Sequence, residues 1–123
     1  MSDKPLILVV DHNPRNRELL AQFLEREGYE AVAGADLNEA EGLLAQPRRI
    51  ALGLVDLAGL GQQVWGYCGR LRQERFPFVL LAPPAGHAAR QEGLSAGAAG
   101  VLVKPLSMNG LRTLLRVLLE RPG

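Results

Sequence analysis

The chain has 123 residues, 47% of them apolar and 22% charged, with a formal net charge of +1. That length fills one core and leaves no room for a second, and the near-balance of charge excludes the strongly basic field of a nucleic-acid binder. The single cysteine, Cys68, excludes an internal disulfide and a cysteine-cluster metal site.

Apolar runs such as Leu6–Val10 and Phe78–Ala82 are too short to span a membrane. The start Met1-Ser2-Asp3-Lys4-Pro5 lacks the hydrophobic segment of a signal peptide. The expectation is one domain over residues 1–123, in the cytoplasm, without membrane or direct nucleic-acid contact.

Short apolar runs alternate with stretches of helical period in five units, the sign of a parallel sheet with crossover helices. The continuous run Leu6–Val10 predicts a strand covered on both faces, and it ends at Asp11. Asn13 as cap and Pro14 in the first turn start a helix whose Leu19, Leu20, Phe23 and Leu24 form an apolar stripe and which Gly28 closes. Residues 30–33 predict a second strand, and Asp36 caps a helix that runs through Leu43, Leu44 and Ala45 before Pro47. The third strand, 50–55, also ends at an acid, Asp56.

A glycine-bearing loop, 57–61, then leads to a helix near 62–72. Trp65 is expected to pack against the sheet and Cys68 to act as a small buried hydrophobe. Pro77 introduces the fourth strand, Phe78–Ala82, and the loop 83–86 separates it from a helix near His87–Ser95 that ends around Gly97. Residues 101–103 form the fifth strand, followed by Lys104-Pro105 and a helix with Leu111, Leu114, Leu115 and Leu118 on one face. Met108, Val117 and Leu119 widen that stripe, as a partner surface would. Residues 120–123 have the composition of a linker.

The predicted fold is a doubly wound α/β sandwich with a five-stranded parallel sheet in the order 2-1-3-4-5, like a flavodoxin. In that order strands 1 and 3 are neighbours at the point where ligands bind. Asp11, Asp56 and Lys104 all stand at carboxyl ends of strands. Two acids beside a lysine suit a magnesium ion and the attack of a carboxylate on a phosphoryl group.

The segments Leu8-Val9-Val10-Asp11, Leu54-Val55-Asp56-Leu57 and Val103-Lys104-Pro105 resemble, in order and spacing, the hallmark segments of response-regulator receivers, the CheY-like domains of bacterial two-component systems. The resemblance spans essentially the whole chain, and Ala96-Gly97-Ala98 fits it too. It implies a phosphoacceptor at Asp56, acting with Lys104. Magnesium would be held weakly by Asp11, Asp56 and the Ala58 carbonyl. The donor would be a histidine kinase or phosphotransfer protein, and the protein would be a signalling module rather than an enzyme. It also implies a cis bond at Lys104-Pro105, and a homodimer or partner surface on helix 4, strand 5 and helix 5.

The chain departs from the family at its switch. His12 replaces a second acid, Ala82 replaces a threonine or serine, Val101 replaces an aromatic residue, and Gly59-Leu60-Gly61-Gln62-Gln63 replaces a loop containing Pro-Gly. These departures keep open a second reading, a phosphorylation-independent docking or dimerisation domain. No other cofactor is expected. A flavin phosphate wants free backbone amides after strand 1, where Asp11-His12-Asn13-Pro14 offers a carboxylate and a proline. His12 and His87 are expected at the surface, and Arg70, Arg72 and Arg75 on a solvated face.

Overall fold

The structure, a computed structural model, describes residues 4–84 and 87–120; the residues outside those ranges, and the side chain of His87, lie outside the description. The expectations for His87, for Ala85 and Gly86, and for both chain ends beyond these limits therefore lie outside the described residues. The elements follow in chain order as β1 Leu6–Val10, α1 Pro14–Arg26, β2 Glu30–Gly34, α2 Leu37–Leu44, β3 Ile50–Asp56, α3 Val64–Glu74, β4 Phe78–Ala82, α4 His87–Ser95, β5 Gly100–Val103 and α5 Met108–Leu119. All strand pairs are parallel, in the order β2-β1-β3-β4-β5.

Because successive side chains point to opposite faces of a sheet, the central strands feed two cores. Leu6, Leu8, Val10, Val55 and Leu80 pack beneath Val64, Tyr67, Cys68 and Leu71 of α3. Ile7, Val9, Leu52, Leu54, Val79 and Leu81 pack beneath Leu20 and Leu24 of α1 and Leu111 and Leu115 of α5. Every residue of β1 and β4 is buried, which explains why their sequences are unbroken apolar runs. Truncating Leu24 or Leu115 to alanine would cost about 2–5 kcal/mol.

Local chemistry sets the helix starts. The Asn13 side chain accepts from Asn16 N–H at 3.0 Å with Pro14 at the first helical position. Asp36 accepts from Glu39 N–H at 2.8 Å, while Glu39 reaches back to accept from Ala35 N–H at 2.6 Å. Ser107 caps α5, its hydroxyl oxygen accepting from Gly110 N–H at 3.0 Å.

Two details differ from the sequence expectation. Leu19 is 50% exposed, because Leu20 and Leu24 occupy the sheet-facing side of α1. Helix α3 begins at Val64, after Gly61 has turned the chain with φ +73°. Trp65 packs against the core as expected, and Tyr67 is buried and donates its hydroxyl to the Ala40 carbonyl at 3.2 Å. Cys68 is fully buried, and that burial pushes its thiol up to about 11, so it behaves as a small hydrophobe.

Candidate functional site

Sheet register assembles the site. Val10 lies opposite Val55, so the residues that follow, Asp11 and Asp56, leave the sheet side by side. Asp56 pairs with Leu81 and Ala82 with Val103, which brings Lys104 to the same edge. Lys104 N–H donates to the Ala82 carbonyl at 2.9 Å and fixes the start of that loop. The Lys104-Pro105 bond is cis, as the sequence led one to expect.

The two acids are held by the same local device. Asp11 Oδ1 accepts from Asn13 N–H at 2.9 Å, and Asp56 Oδ1 accepts from Ala58 N–H at 2.9 Å. These are turns in which a carboxylate accepts from the backbone two residues on. Each acid is thereby left with one oxygen to use. Asp56 Oδ2 lies 2.5 Å from Lys104 Nζ, whereas Asp11 Oδ2 is buried with no hydrogen-bond partner. Each aspartate is only 2% exposed. Burial raises the Asp11 carboxyl above the ordinary value; the Asn13 N–H opposes that rise, and the neighbouring Asp56 charge adds to it. Two buried carboxylates beside one ammonium leave an anionic centre that favours a further cation.

A cavity of about 420 Å³ opens from this edge between α1 and the loop leading into α5, with Asp11, Asp56 and Lys104 at one end and Leu20, Phe23 and Leu106 along its walls. Arg17 was not singled out from the sequence, yet its Nη1 donates to the Asp11 carbonyl at 2.9 Å. The signal was its place on the first turn of a helix that starts directly after the strand end. His12 is exposed, and its ring lies against Gly59, where an added Cβ would come within 2.8 Å of it. Ala82 is fully buried at the end of β4. Val101 is half-buried and packs beneath α4, with its Cγ2 3.1 Å from where a Cβ on Gly93 would stand.

The sequence model of the response regulator receiver domain matches residues 7–116. The chain belongs to that family. This receiver is 36% identical over 122 residues to the probable transcriptional regulator ycf27 of Cyanophora paradoxa, covering 97% of this chain and 50% of the relative. It is 34% identical over 118 residues to the transcriptional regulatory protein ResD of Bacillus subtilis, covering 94% and 48%. The receiver thus spans about half the length of these curated relatives.

Among solved structures, the chemotaxis response regulator CheY4 of Vibrio cholerae superposes with a TM-score of 0.78 at 29% identity, covering 94% of this chain and 99% of that one. A two-component response regulator from Clostridium difficile superposes with a TM-score of 0.87 at 23% identity, covering 96% and 98%, a likeness of fold. Among the described residues of the receiver, no helix is long and apolar enough to cross a membrane.

Proposed function

We propose that this receiver accepts a phosphoryl group on Asp56. The Asp56 carboxylate attacks phosphorus in a phosphohistidine of a histidine kinase or phosphotransfer protein. The P–N bond breaks, its electron pair stays on the imidazole nitrogen, and an acyl phosphate forms. The observation that carries the reading is the contact of Lys104 Nζ with Asp56 Oδ2 at 2.5 Å, beside the partnerless Oδ2 of Asp11. Lys104 would then transfer its ion pair to a phosphoryl oxygen.

The same orphaned oxygen fits a magnesium ion, with Asp11, Asp56 and the Ala58 carbonyl as its donors. No three His, Cys, Asp or Glu side chains cluster into a metal cage among the described residues. A site of two carboxylates and a backbone carbonyl suits an ion that keeps several waters and takes phosphate oxygens. When bound, that ion would neutralise the incoming phosphoryl charge. With His12 in place of a second acid its affinity is expected to be low.

The surface of α4, β5 and α5, where Leu94, Val103 and Val117 are exposed, is the face we assign to a second copy or a downstream partner. In longer chains such as the relatives named as transcriptional regulators, the receiver would act on whatever occupies the other half.

A second reading has its own support. Ala82 offers no hydroxyl to a phosphoryl group, and Val101 is seated against α4, where the family carries a mobile aromatic ring. Both favour a docking or dimerisation module that works without phosphorylation. Titrating isotope-labelled protein with magnesium and then beryllofluoride separates the two. Saturable amide shifts spreading from Asp56 to α4 and β5 support the phosphoacceptor, and no response at about 10 mM magnesium supports the docking module.

A further inference from the structure

At the opposite edge of the sheet, where β3 and β4 begin, the α2–β3 and α3–β4 loops and the end of α5 enclose a second cavity of about 420 Å³. Its cationic side is made by Arg48, Arg49 and Arg75, against the single acid Glu74. Arg48 is paired with Glu30, whereas no ion pair or hydrogen bond engages the side chains of Arg49 and Arg75 among the described residues. Arg49 and Arg75, both exposed residues of the lining, are therefore balanced there by Glu74 alone.

Two further features point to a ligand. Gln46 lines the same cavity, and its Nε2 is buried without an acceptor. Buried side-chain amides are ordinarily satisfied, and this one, closed off from solvent beside the cavity, would reach a ligand once its side chain turned outward. Arg75 caps the end of α3 in the left-handed region at φ 68°. Glycine or asparagine normally stands at such a position, because a Cβ crowds the following carbonyl.

The remaining wall, with Ile50, Phe76 and Leu118, is apolar. The arginines would also complement the carboxyl ends of α2 and α3. That account leaves Gln46 Nε2 without an acceptor and gives no reason for arginine over glycine at position 75.

We propose that this cavity binds a small organic phosphate, one phosphate group on an aromatic or apolar body. Guanidinium forks match phosphate oxygens in pairs, and Phe76 and Leu118 receive the body. The volume lies within the roughly 300–1,000 Å³ usual for small-ligand sites. The site is independent of the acidic edge, at the other end of the same strands.

The test is a titration of the isotope-labelled chain with adenosine monophosphate, and with adenosine as the uncharged counterpart. The Gln46 side-chain amide and the backbone amides of Arg49, Ile50 and Arg75 are followed. The nucleotide should give saturable shifts with half-saturation near or below about 1 mM, and adenosine none. Arg75→Gly removes the guanidinium while relieving the left-handed backbone, and Arg49→Gln leaves the backbone alone. Each should weaken binding roughly tenfold. Four outcomes overturn the proposal: no saturable shift at about 10 mM nucleotide; shifts confined to the Lys104 edge; an equal response to adenosine; or unchanged binding in both variants.

Discussion

Replacing Ala82 with serine tests how the acidic edge would grip a phosphoryl group. Ala82 is fully buried and its carbonyl is tied to Lys104 N–H at 2.9 Å, so position 82 is fixed beside the loop that carries Lys104. A serine hydroxyl there adds one hydrogen bond to a charged group, worth roughly 1.5–3 kcal/mol. With a factor of ten for every 1.4 kcal/mol, half-saturation by beryllofluoride should fall roughly 10- to 150-fold. In the resting state the same hydroxyl enters a closely packed site, so urea unfolding should show a loss of about 1 kcal/mol. Calorimetric titration of both proteins at saturating magnesium reads the gain, and the unfolding curves establish that both are folded. Equal half-saturation in two folded proteins would refute the reasoning, because the missing hydroxyl would then not be what limits the grip.

Three other perturbations address the same edge. Lys104→Gln leaves Asp56 buried without its cation. Breaking a fully buried pair costs about 3–5 kcal/mol, and because the Lys104 side chain is 26% exposed the loss should be nearer about 1–3 kcal/mol in urea unfolding; wild-type stability in the variant would show that the pair is not stabilising. Asp11 has a raised folded pKa, so the stability it contributes is fully present below the unfolded value of 3.8 and is lost as pH rises through the folded one. Asp11→Asn should therefore be more stable than wild type at neutral pH in chelator and lose the stabilisation by magnesium, and a less stable variant would contradict the assignment of burial as the cause. Gly59 sits at φ +80° with the His12 ring against it. Gly59→Ala should cost about 1–2 kcal/mol for the left-handed backbone, plus a part that disappears when His12→Ala is added; a double-mutant cycle showing no coupling would mean that the ring moves aside freely.

The acidic edge was legible from the sequence because its residues are positioned by strands. Once residues 6–10 and 50–55 are read as buried parallel strands at the switch point, Asp11 and Asp56 must meet. The observed pairing of Val10 with Val55 is that expectation realised. Asn13, Pro14 and Asp36 were legible for a related reason: a cap is a short-range bond, and its donor and acceptor lie within one turn. Periodicity was less able to rank neighbours on one stripe. Leu19 and Leu20 are adjacent in the sequence and differ only in rotation about α1, and that rotation is set by the sheet beneath.

Arg17 and the arginine-lined cavity escaped for the opposite reason. The position of Arg17 on the first turn of α1 brings it near the strand end, but its bond to the Asp11 carbonyl depends on a side-chain rotamer that position alone does not set. Arg49 and Arg75 come from two loops 26 positions apart, joined only because β3 and β4 are neighbours whose amino ends share an edge. In the sequence, Arg75 belongs to a run with Arg70 and Arg72 that reads as a solvated face. Only the left-handed turn at the end of α3 separates it from that run. A parallel sheet thus gathers residues at both of its edges. At the carboxyl edge short apolar strands end in conspicuous polar residues, while at the amino edge the polar residues belong to loops whose composition looks ordinary. The physical asymmetry follows from strand direction: side chains just after a strand are placed by its register, whereas those just before it are placed by how the preceding helix ends.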